Sequence, residues 1–315
     1  MKEIGDKILI GLLVIIARLP LGLLYVLSDI SYVIIYHLWG YRRELVRKNL
    51  RRSFPEYTEK ELLMIEHKFY HHFCDLMAEE LKMLNMSDKE RERRVVIKGV
   101  ELIEQAGAEG RPVFVYFGHL GNWEWVPDIS SRVMPPLPKV AIYETQRNTF
   151  SNNVMLRVRE RIYPDAMLFP QKKAARALLE LKQKYGSFLL GLISDQCPPR
   201  HRVVHWTTFL NQDTPYITGG EAIARKLNAK ILMALVSKPR RGYYDIRVID
   251  VQPTADDLAD NDGYPYSLAF MRLLEENIRK QPEIYLWTHN RWKYRREYYS
   301  EGNWKIIDTR KNPDL

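Results

Sequence analysis

The residues best suited to chemistry are His119 and Glu124, within the stretch Val113–Trp125. A histidine held by a carboxylate can act as a general base, because one ring nitrogen is oriented while the other is free to take a proton. Five residues along a regular helix turn a side chain by about 500°, which would leave the two groups roughly 140° apart. We therefore place His119 in a turn and Glu124 in the first helical turn, from where the carboxylate can fold back to the ring. A loop histidine followed by a capping glutamate is the alternative interpretation.

A buried strand and a glycine turn are predicted to position this histidine. Val113–Phe117 is a continuous run of β-branched and aromatic residues, typical of a strand covered on both faces. Gly118 and Gly121 bracket His119, and Asn122 can cap a following helix. The imidazole is thus expected where a strand ends and a helix begins, which is where open α/β sheets keep their sites.

A second candidate group follows another apolar run. Asp195 and Gln196 come after Ser187–Ile193, so in a parallel sheet they would share an edge with the histidine. An aspartate at such a place can instead stabilise its own turn. Arg200 and Arg202 add positive charge that could bind phosphate, although a basic surface loop is the alternative.

The segment His-Leu-Gly-Asn-Trp-Glu, from His119 to Glu124, resembles the signature of the lysophospholipid acyltransferase superfamily, a His, four residues, then Asp or Glu. Within that superfamily the chain is similar to the bacterial lipid A late acyltransferases, the lauroyl and myristoyl transferases, whose H-x-G-N-W-E form it matches. Asp195-Gln196 and the closing segment Pro282–Lys293 are further resemblances. The match runs in order from the apolar N-terminus to about Lys293, and it implies that His119 and Glu124 are catalytic.

One departure from the family pattern concerns substrate contact. After the strand that ends at Tyr143 the family usually continues with Arg-Pro, whereas this chain has Glu144 and Thr145. Arg147 is our candidate substitute for the missing arginine. The residues expected to contact substrate are Gly121, Asn122, Trp123, Arg147, Asp195, Gln196 and Arg200.

The alternation of apolar runs and helical patterns from Arg111 onward predicts an α/β fold with a mainly parallel central sheet flanked by helices. Lys230–Val236 and Tyr243–Val251 are interpreted as paired strands, and a basic helix is predicted over Asn153–Ile162. Thr58 and Glu61 have capping-box spacing and predict a helix start. We divide the chain into a membrane anchor (1–40), a helical segment (41–98) and an α/β acyltransferase domain (99–315).

The N-terminal stretch Ile8–Trp39 is almost wholly apolar and is followed by no signal-peptide cleavage site. A single membrane span would put Arg18 near the bilayer centre, at a cost of about 2.5 to 3.5 kcal/mol. Two shorter helices meeting at Pro20 could lie in the membrane interface instead. A buried helix pair in a soluble protein is the third interpretation, and all three stay open.

A basic cluster follows the apolar stretch and suits anionic lipid headgroups on the cytoplasmic side. It consists of Arg42, Arg43, Arg47, Lys48, Arg51 and Arg52. The cluster therefore predicts a catalytic domain on the cytoplasmic side of a membrane, and the family resemblance implies that this is the bacterial inner membrane.

Composition points the same way. The net charge of +9 over 315 residues implies an anionic partner, which could be nucleic acid, a membrane surface or a phosphorylated substrate. The two cysteines form neither a metal spacing nor a disulfide framework. His67 and His71 stand four apart on one predicted helix face, but no third ligand is evident, so a solvated face is favoured and no metal is expected.

The leading hypothesis is acyl transfer without a covalent enzyme intermediate, since no Gly-x-Ser-x-Gly motif supports a nucleophilic serine. The family resemblance implies an acyl chain carried on acyl carrier protein, a hydroxyacyl chain of a phosphorylated lipid as acceptor, and no cofactor. Another acyltransferase of the superfamily, acting on a glycerolipid, aminolipid, glycolipid or aryl-polyene acceptor, is the nearest alternative. A non-catalytic, membrane-tethered polyanion-binding protein is the alternative from a different class, and no nucleic-acid module supports it.

Overall fold

Strand Val113–Phe117 lies at the centre of a seven-stranded sheet, as its apolar sequence predicts. All five of its residues are buried. The computed structural model describes residues 11–143, 163–259 and 263–297. The predicted helix over Asn153–Ile162 lies outside the described residues. Helices cover a mostly parallel central sheet, so the predicted fold class is confirmed.

The sheet has the strand order β1-β9-β8-β2-β5-β3-β4, and β6 and β7 form a separate antiparallel hairpin. The strands are β1 (Val95–Lys98), β2 (Val113–Phe117), β3 (Lys139–Tyr143), β4 (Ala166–Pro170), β5 (Leu189–Ile193), β6 (Trp206–Phe209), β7 (Gln212–Pro215), β8 (Lys230–Arg240) and β9 (Tyr243–Asp250). Neighbouring strands are parallel except at the predicted β8–β9 pair, which is antiparallel. The ends of β2 and β5 therefore meet at one edge.

Helices cover both faces of the sheet. They are α1 (Leu21–Tyr32), α2 (Arg43–Ser53), α3 (Glu59–Met83), α4 (Asp88–Arg94), α5 (Glu101–Ala108), α6 (Ala174–Tyr185), α7 (Gly219–Leu227), α8 (Ala255–Ala259) and α9 (Pro265–Lys280). A π-helical turn, Val33–Trp39, extends α1. The predicted capping box of Thr58 and Glu61 is confirmed at the start of α3.

The core is divided by β2, whose side chains alternate between two apolar clusters as the period of a strand requires. Phe114 and Tyr116 belong to one cluster, while Val113, Val115 and Phe117 belong to the other. Burial on both faces is the reason for the continuous apolar run.

Some strands carry little sequence signal. Val95–Lys98, assigned to the helical segment, is a strand that pairs in parallel with β9. The strand at Ala166–Pro170 was also not predicted. Short edge strands contribute few alternating positions, so their pairing is decided by the neighbouring strand rather than by local pattern.

The apolar helix α1 and its π-helical extension lie along α3, antiparallel to it. Polar groups hold the two together at intervals: Tyr25 to Glu79 (2.9 Å), Ser28 to Asp75 (2.8 Å), Tyr32 to His67 (2.7 Å) and Tyr36 to Glu66 (2.8 Å). The opposite face is apolar and exposed: Leu23, Val26, Leu27, Ile30, Val33, Ile34, Leu38 and Trp39. Among the described residues, Leu21–Trp39 is long and apolar enough to cross a membrane by length and composition alone.

Candidate active site

His119 is held by Asp195 through two hydrogen bonds. The His119 ring Nδ1 lies 2.7 Å from Asp195 Oδ1, and the His119 backbone N–H donates to Asp195 Oδ2 at 3.0 Å. Since Asp195 is an acceptor when ionised, it fixes the proton on Nδ1 and leaves Nε2 with a free lone pair. The Asp195 side chain is 2% exposed and that of His119 is 12% exposed, so the pair is shielded but the ring is reachable.

The sheet brings these two residues together. His119 follows the end of β2 and Asp195 follows the end of β5, and the two strands pair in parallel register up to Phe117 and Ile193. The Ser194 N–H continues the pairing by donating to the Phe117 carbonyl at 3.0 Å. The sequence-based expectation of a shared edge is therefore confirmed.

The pair shifts both pKa values in the directions expected of mutual stabilisation. Burial raises the pKa of Asp195, but the charge of His119 and the hydrogen bonds from its ring and backbone outweigh this and lower the pKa to about 2. Burial lowers the pKa of His119, but the Asp195 charge, its hydrogen bond and the more distant Glu124 charge outweigh it, so the pKa is raised. Asp195 thus stays ionised across the physiological range.

Glu124 does not hold the ring as the sequence analysis expected, because the carboxylate on His119 Nδ1 is that of Asp195. Trp123–Ser131 forms a 3₁₀-helix with Pro127 inside it, rather than the expected α-helix. The Glu124 backbone carbonyl accepts from the Tyr163 hydroxyl at 3.1 Å. Glu124 is a second carboxylate of the site whose charge acts on His119.

Asn122 was expected to cap the following helix, but its side chain makes no capping hydrogen bond. It is 1% exposed, and its amide Nδ2 donates to Glu79 Oε2 at 2.8 Å. The Asn122 side chain is therefore committed to Glu79 and supports the turn, which leaves its backbone amide as the group that could contact substrate.

Gly121 is required by close packing and by its backbone. Its φ is +61°, and a Cβ there would lie 2.6 Å from Val236 Cγ1. Its backbone N–H donates to the Ile284 carbonyl at 2.9 Å. Gly121 therefore shapes the turn, and its amide is not free for a substrate oxygen.

Of the other predicted substrate contacts, the structure places Trp123 directly against the histidine. The Trp123 ring packs edge-on against the His119 ring, with centroids 5.1 Å apart and planes at 69°. Gln196 is exposed next to Asp195, and Arg200 lies in a 3₁₀ turn at Arg200–Arg202. Arg147 and the departure at Glu144 lie outside the described residues.

The closing segment places a second imidazole that the sequence analysis did not single out. The His289 ring lies parallel to that of His119, with centroids 6.3 Å apart and planes at 11°. Burial lowers the pKa of His289 to about 4, despite the charge of Asp195. Asn49 of α2 holds this segment by donating to the Trp287 carbonyl at 2.9 Å. His289 is therefore neutral beside His119, and its place in the recognised closing segment was the signal available.

Two residues after His289, the closing segment carries a buried cation, Arg291. Arg291 is fully buried, and its Nη2 donates to the Pro215 carbonyl at 2.7 Å. Its Nε and Nη1 have no hydrogen-bond partner among the residues that the structure describes. Trp287 and Trp292 of the same segment are buried core residues, and their indole N–H groups donate to the Pro282 carbonyl at 2.7 Å and to the Thr214 hydroxyl at 2.8 Å.

The possible metal pair has another explanation. His67 Nδ1 lies 2.7 Å from the Tyr32 hydroxyl, and the His71 ring stacks on Tyr32 with centroids 3.6 Å apart. The helix face that His67 and His71 share therefore packs against α1 and is not only solvated. Within the described ranges, no group of three or more His, Cys, Asp or Glu side chains could hold a metal ion.

The basic cluster forms a concave surface on α2. A cavity of about 390 Å³ is lined by Glu44, Arg47, Lys48, Arg51 and Arg52. Arg47 also pairs with the buried Glu66 at 2.8 Å, so part of this charge anchors α2 to α3. Arg51 pairs with Glu59 at 2.7 Å, so two of the four cations that line the cavity already have carboxylate partners.

Comparison with known proteins assigns the family. No curated protein matches the chain. Residues 1–294 match the family model of the bacterial lipid A biosynthesis acyltransferases, and this range contains the apolar helix, the whole sheet, the His119–Asp195 pair and the closing segment. The chain therefore belongs to the bacterial lipid A biosynthesis acyltransferase family.

Proposed function

We propose that the protein is a membrane-associated O-acyltransferase that moves a fatty acyl chain from acyl carrier protein to a hydroxyacyl chain of a lipid A precursor. The observation that carries the proposal is the His119–Asp195 pair, which leaves His119 Nε2 as a base in a chain of this family. No cofactor is needed for the reaction that follows.

In this mechanism His119 Nε2 takes the proton from the acceptor hydroxyl as its oxygen attacks the thioester carbonyl. The carbon–sulfur bond then breaks, and the proton on His119 passes to the departing thiolate. Asp195 stabilises the imidazolium formed between the two steps. The products are the new ester and the free carrier thiol, so no covalent enzyme intermediate is required.

The negative charge that develops on the thioester oxygen requires hydrogen-bond donors or a cation. Because the Gly121 amide is committed to Ile284, the Asn122 backbone amide and an arginine are the groups we assign to this role. Arg147 remains the candidate from the sequence, and the unsatisfied nitrogens of Arg291 make it a second candidate.

Arg147→Ala should lower kcat by about 10²-fold with little change in folding if Arg147 binds this oxygen, measured as initial rates. Wild-type kcat in that variant would leave Arg291 as the remaining arginine.

The mode of membrane association follows from the packing of α1. If α1 crossed a bilayer, α3 would have to enter the hydrocarbon beside it, with its buried Glu66, Asp75 and Glu79. An orientation with the exposed apolar face in the interface and α3 on the aqueous side avoids this cost. We therefore favour monotopic insertion, with the basic cluster facing acidic headgroups and the phosphorylated acceptor on the cytoplasmic side. Protease access to residues 41–297 from the periplasm of intact cells would contradict this orientation.

The function is tested by incubating the purified protein in detergent with acyl-loaded carrier protein and a hydroxyacyl lipid A precursor. Mass spectrometry should show one added acyl chain and the free carrier thiol, and His119→Ala should give neither. Lipids from cells with and without the protein provide the second arm, because the missing chain names the acceptor. A change in a glycerolipid or aminolipid alone would replace the proposed acceptor. Polyanion binding without any acyl transfer would overturn the enzymatic assignment.

A further inference from the structure

Glu79 is a fully buried carboxylate that the proposed mechanism does not use. It lies on α3 and accepts three hydrogen bonds, from Tyr25 at 2.9 Å, Asn122 at 2.8 Å and Tyr244 at 2.7 Å. All three donors are neutral, and among the described residues Glu79 makes no ion pair within 4 Å. A buried carboxylate held only by neutral donors is costly to keep charged, so its retention calls for a reason other than stability alone.

The three donors come from three different parts of the molecule. Tyr25 belongs to the apolar helix α1, Tyr244 to β9, and Asn122 to the catalytic turn, which we define as residues 118–122. Each is far from Glu79 in sequence, with separations of 54, 165 and 43 residues. Glu79 is therefore a junction between the apolar helix, the sheet and the turn that carries the base.

The junction also packs against the backbone of the turn. The Tyr244 ring lies 3.4 Å from the position a Gly121 Cβ would take, and it meets the Trp125 ring edge-on with centroids 5.4 Å apart. The other end of the turn is fixed by Asp195 on His119. A turn held at both ends has little freedom to move the imidazole relative to substrate.

We propose that Glu79 is a positioning residue that couples docking of the apolar helix to the geometry of His119, by holding Asn122 with one carboxylate oxygen and Tyr25 with the other. This inference rests on the proposed acyl transfer for its effect on rate. When α1 is seated, Tyr25 completes the set of donors and the turn is held. When α1 lifts away, Glu79 loses the donor on Oε1 and can shift, and Asn122 shifts with it.

Glutamine is the conservative variant. Its amide oxygen can accept from both Asn122 and Tyr244, while its amide nitrogen can donate to the Tyr25 hydroxyl oxygen. Methionine has a similar length but neither accepts these bonds well nor donates. Glu79→Gln should therefore preserve the junction and Glu79→Met should remove it.

The apolar helix offers a matched control. Ser28 lies one helical turn after Tyr25 and donates to Asp75 of α3 at 2.8 Å, in another hydroxyl-to-carboxylate bond between the same two helices; this bond is buried, whereas that of Tyr25 is partly buried. Asp75 keeps Lys238 and Arg241 as partners when Ser28 is changed, and within the described residues it makes no hydrogen bond to the catalytic turn. Tyr25→Phe and Ser28→Ala thus each remove one hydroxyl between the same two helices, but only Tyr25→Phe removes a hydrogen bond to Glu79.

The test compares kcat and KM of the full chain in detergent for the four variants. Glu79→Met should lower kcat by about tenfold with KM within about twofold, and Tyr25→Phe should lower kcat by several-fold. Glu79→Gln and Ser28→Ala should stay within about twofold of wild type. Equal kcat losses in Tyr25→Phe and Ser28→Ala, or equal losses in Glu79→Met and Glu79→Gln, would overturn the coupling. If Glu79→Met fails to fold, the comparison of kcat between Tyr25→Phe and Ser28→Ala still tests the coupling.

A second readout does not depend on the reaction. The rate of His119 carbethoxylation by diethylpyrocarbonate, followed by peptide mass spectrometry across pH, gives the apparent pKa of the imidazole. Loosening of the turn weakens the contact with Asp195, so Tyr25→Phe should give a lower pKa for His119 and Ser28→Ala should not. An unchanged His119 pKa in both Tyr25→Phe and Glu79→Met would refute the positioning role even if acyl transfer proved to be the wrong reaction.

Discussion

Two buried carboxylates hold the catalytic turn, and they do so in opposite electrostatic settings. Asp195 holds His119 at the start of the turn and Glu79 holds Asn122 at its end. Burial and the neighbouring charges leave Asp195 with a pKa of about 2, because the imidazole favours the anion. Burial raises the pKa of Glu79, and the Lys238 charge and the three neutral donors only partly offset it.

The difference separates two uses of a carboxylate. In the proposed mechanism the negative charge of Asp195 itself has a role, since it stabilises the positive imidazole that forms in the reaction. At Glu79 the arrangement of acceptor atoms has the role, because no positive group forms beside it. Replacing each acid by its amide keeps the shape and removes the charge, so this exchange tests the distinction directly.

The largest effect is expected from removing His119, the group that Asp195 holds. His119→Ala should lower the rate of acyl transfer by at least about 10²- to 10⁴-fold, because no base remains at the hydroxyl. Rates are measured with saturating acyl carrier thioester, and membrane fractionation with a melting curve serves as the control for folding. Wild-type turnover by a folded variant would end the mechanism.

Asp195→Asn should be the next largest loss, of about 10²-fold or more. The ring Nδ1–H and the backbone N–H of His119 bind different oxygens of Asp195, and in asparagine one of these positions is an NH₂ donor, so either the tautomer or the turn must change. Loss of the Asp195 charge also lowers the pKa of His119, and the rising limb of kcat/KM against pH should move to lower pH. Glu79→Gln is the matched comparison, and a loss there equal to that of Asp195→Asn would remove the distinction between charge and shape.

Glu124→Gln should cost less than Asp195→Asn. Glu124 raises the pKa of His119 through its charge, after the larger effects of burial and Asp195. The pH profile should therefore shift in the same direction as in Asp195→Asn but by a smaller amount. The comparison uses kcat/KM from pH 5 to 9, about one pH unit at a time, and a larger shift for Glu124→Gln would return Glu124 to the orienting role that the sequence suggested.

The smallest effects are expected in how the stability of the folded protein changes with pH. As the pH rises, ionisation of Asp195 adds stability and ionisation of Glu79 removes it. Because the pKa of Asp195 is lowered, its contribution is present above its ordinary pKa and is lost as pH falls toward about 2. Because the pKa of His119 is raised, its contribution is present below its ordinary pKa and is lost as pH rises through the folded value. Because burial raises the pKa of Glu79, this carboxylate instead lowers the stability of the folded protein as the pH rises above the ordinary pKa of a glutamate.

Melting temperatures measured in detergent across acidic and neutral pH should separate the two. Asp195→Asn should flatten both the acid-side loss and the loss on the basic side, whereas Glu79→Gln should flatten only the decline that begins above the ordinary pKa of a glutamate. Identical pH profiles for the two amide variants would show that the carboxylates are electrostatically equivalent.

Much of this protein was determined by its sequence through short-range rules. The run Val113–Phe117 specifies a strand buried on both faces, and Thr58 with Glu61 specifies a helix start, since each pattern acts within a few residues. The motif from His119 to Glu124 identified the family in the same way, and it pointed to His119 as the candidate base. Placement of Asp195 near His119 also followed, because the ends of parallel strands share an edge.

Tertiary structure alone decided which partner each group takes. Asp195 is 76 residues from His119, yet it occupies the ring nitrogen that local spacing assigned to Glu124, because β5 pairs directly with β2 while a 3₁₀-helix carries Glu124 onward. Asn122 binds Glu79 rather than capping a helix, because α3 crosses behind the turn. Local sequence fixes the period and the ends of an element, but hydrogen bonds over such separations depend on how elements pack, and no short-range pattern encodes that packing.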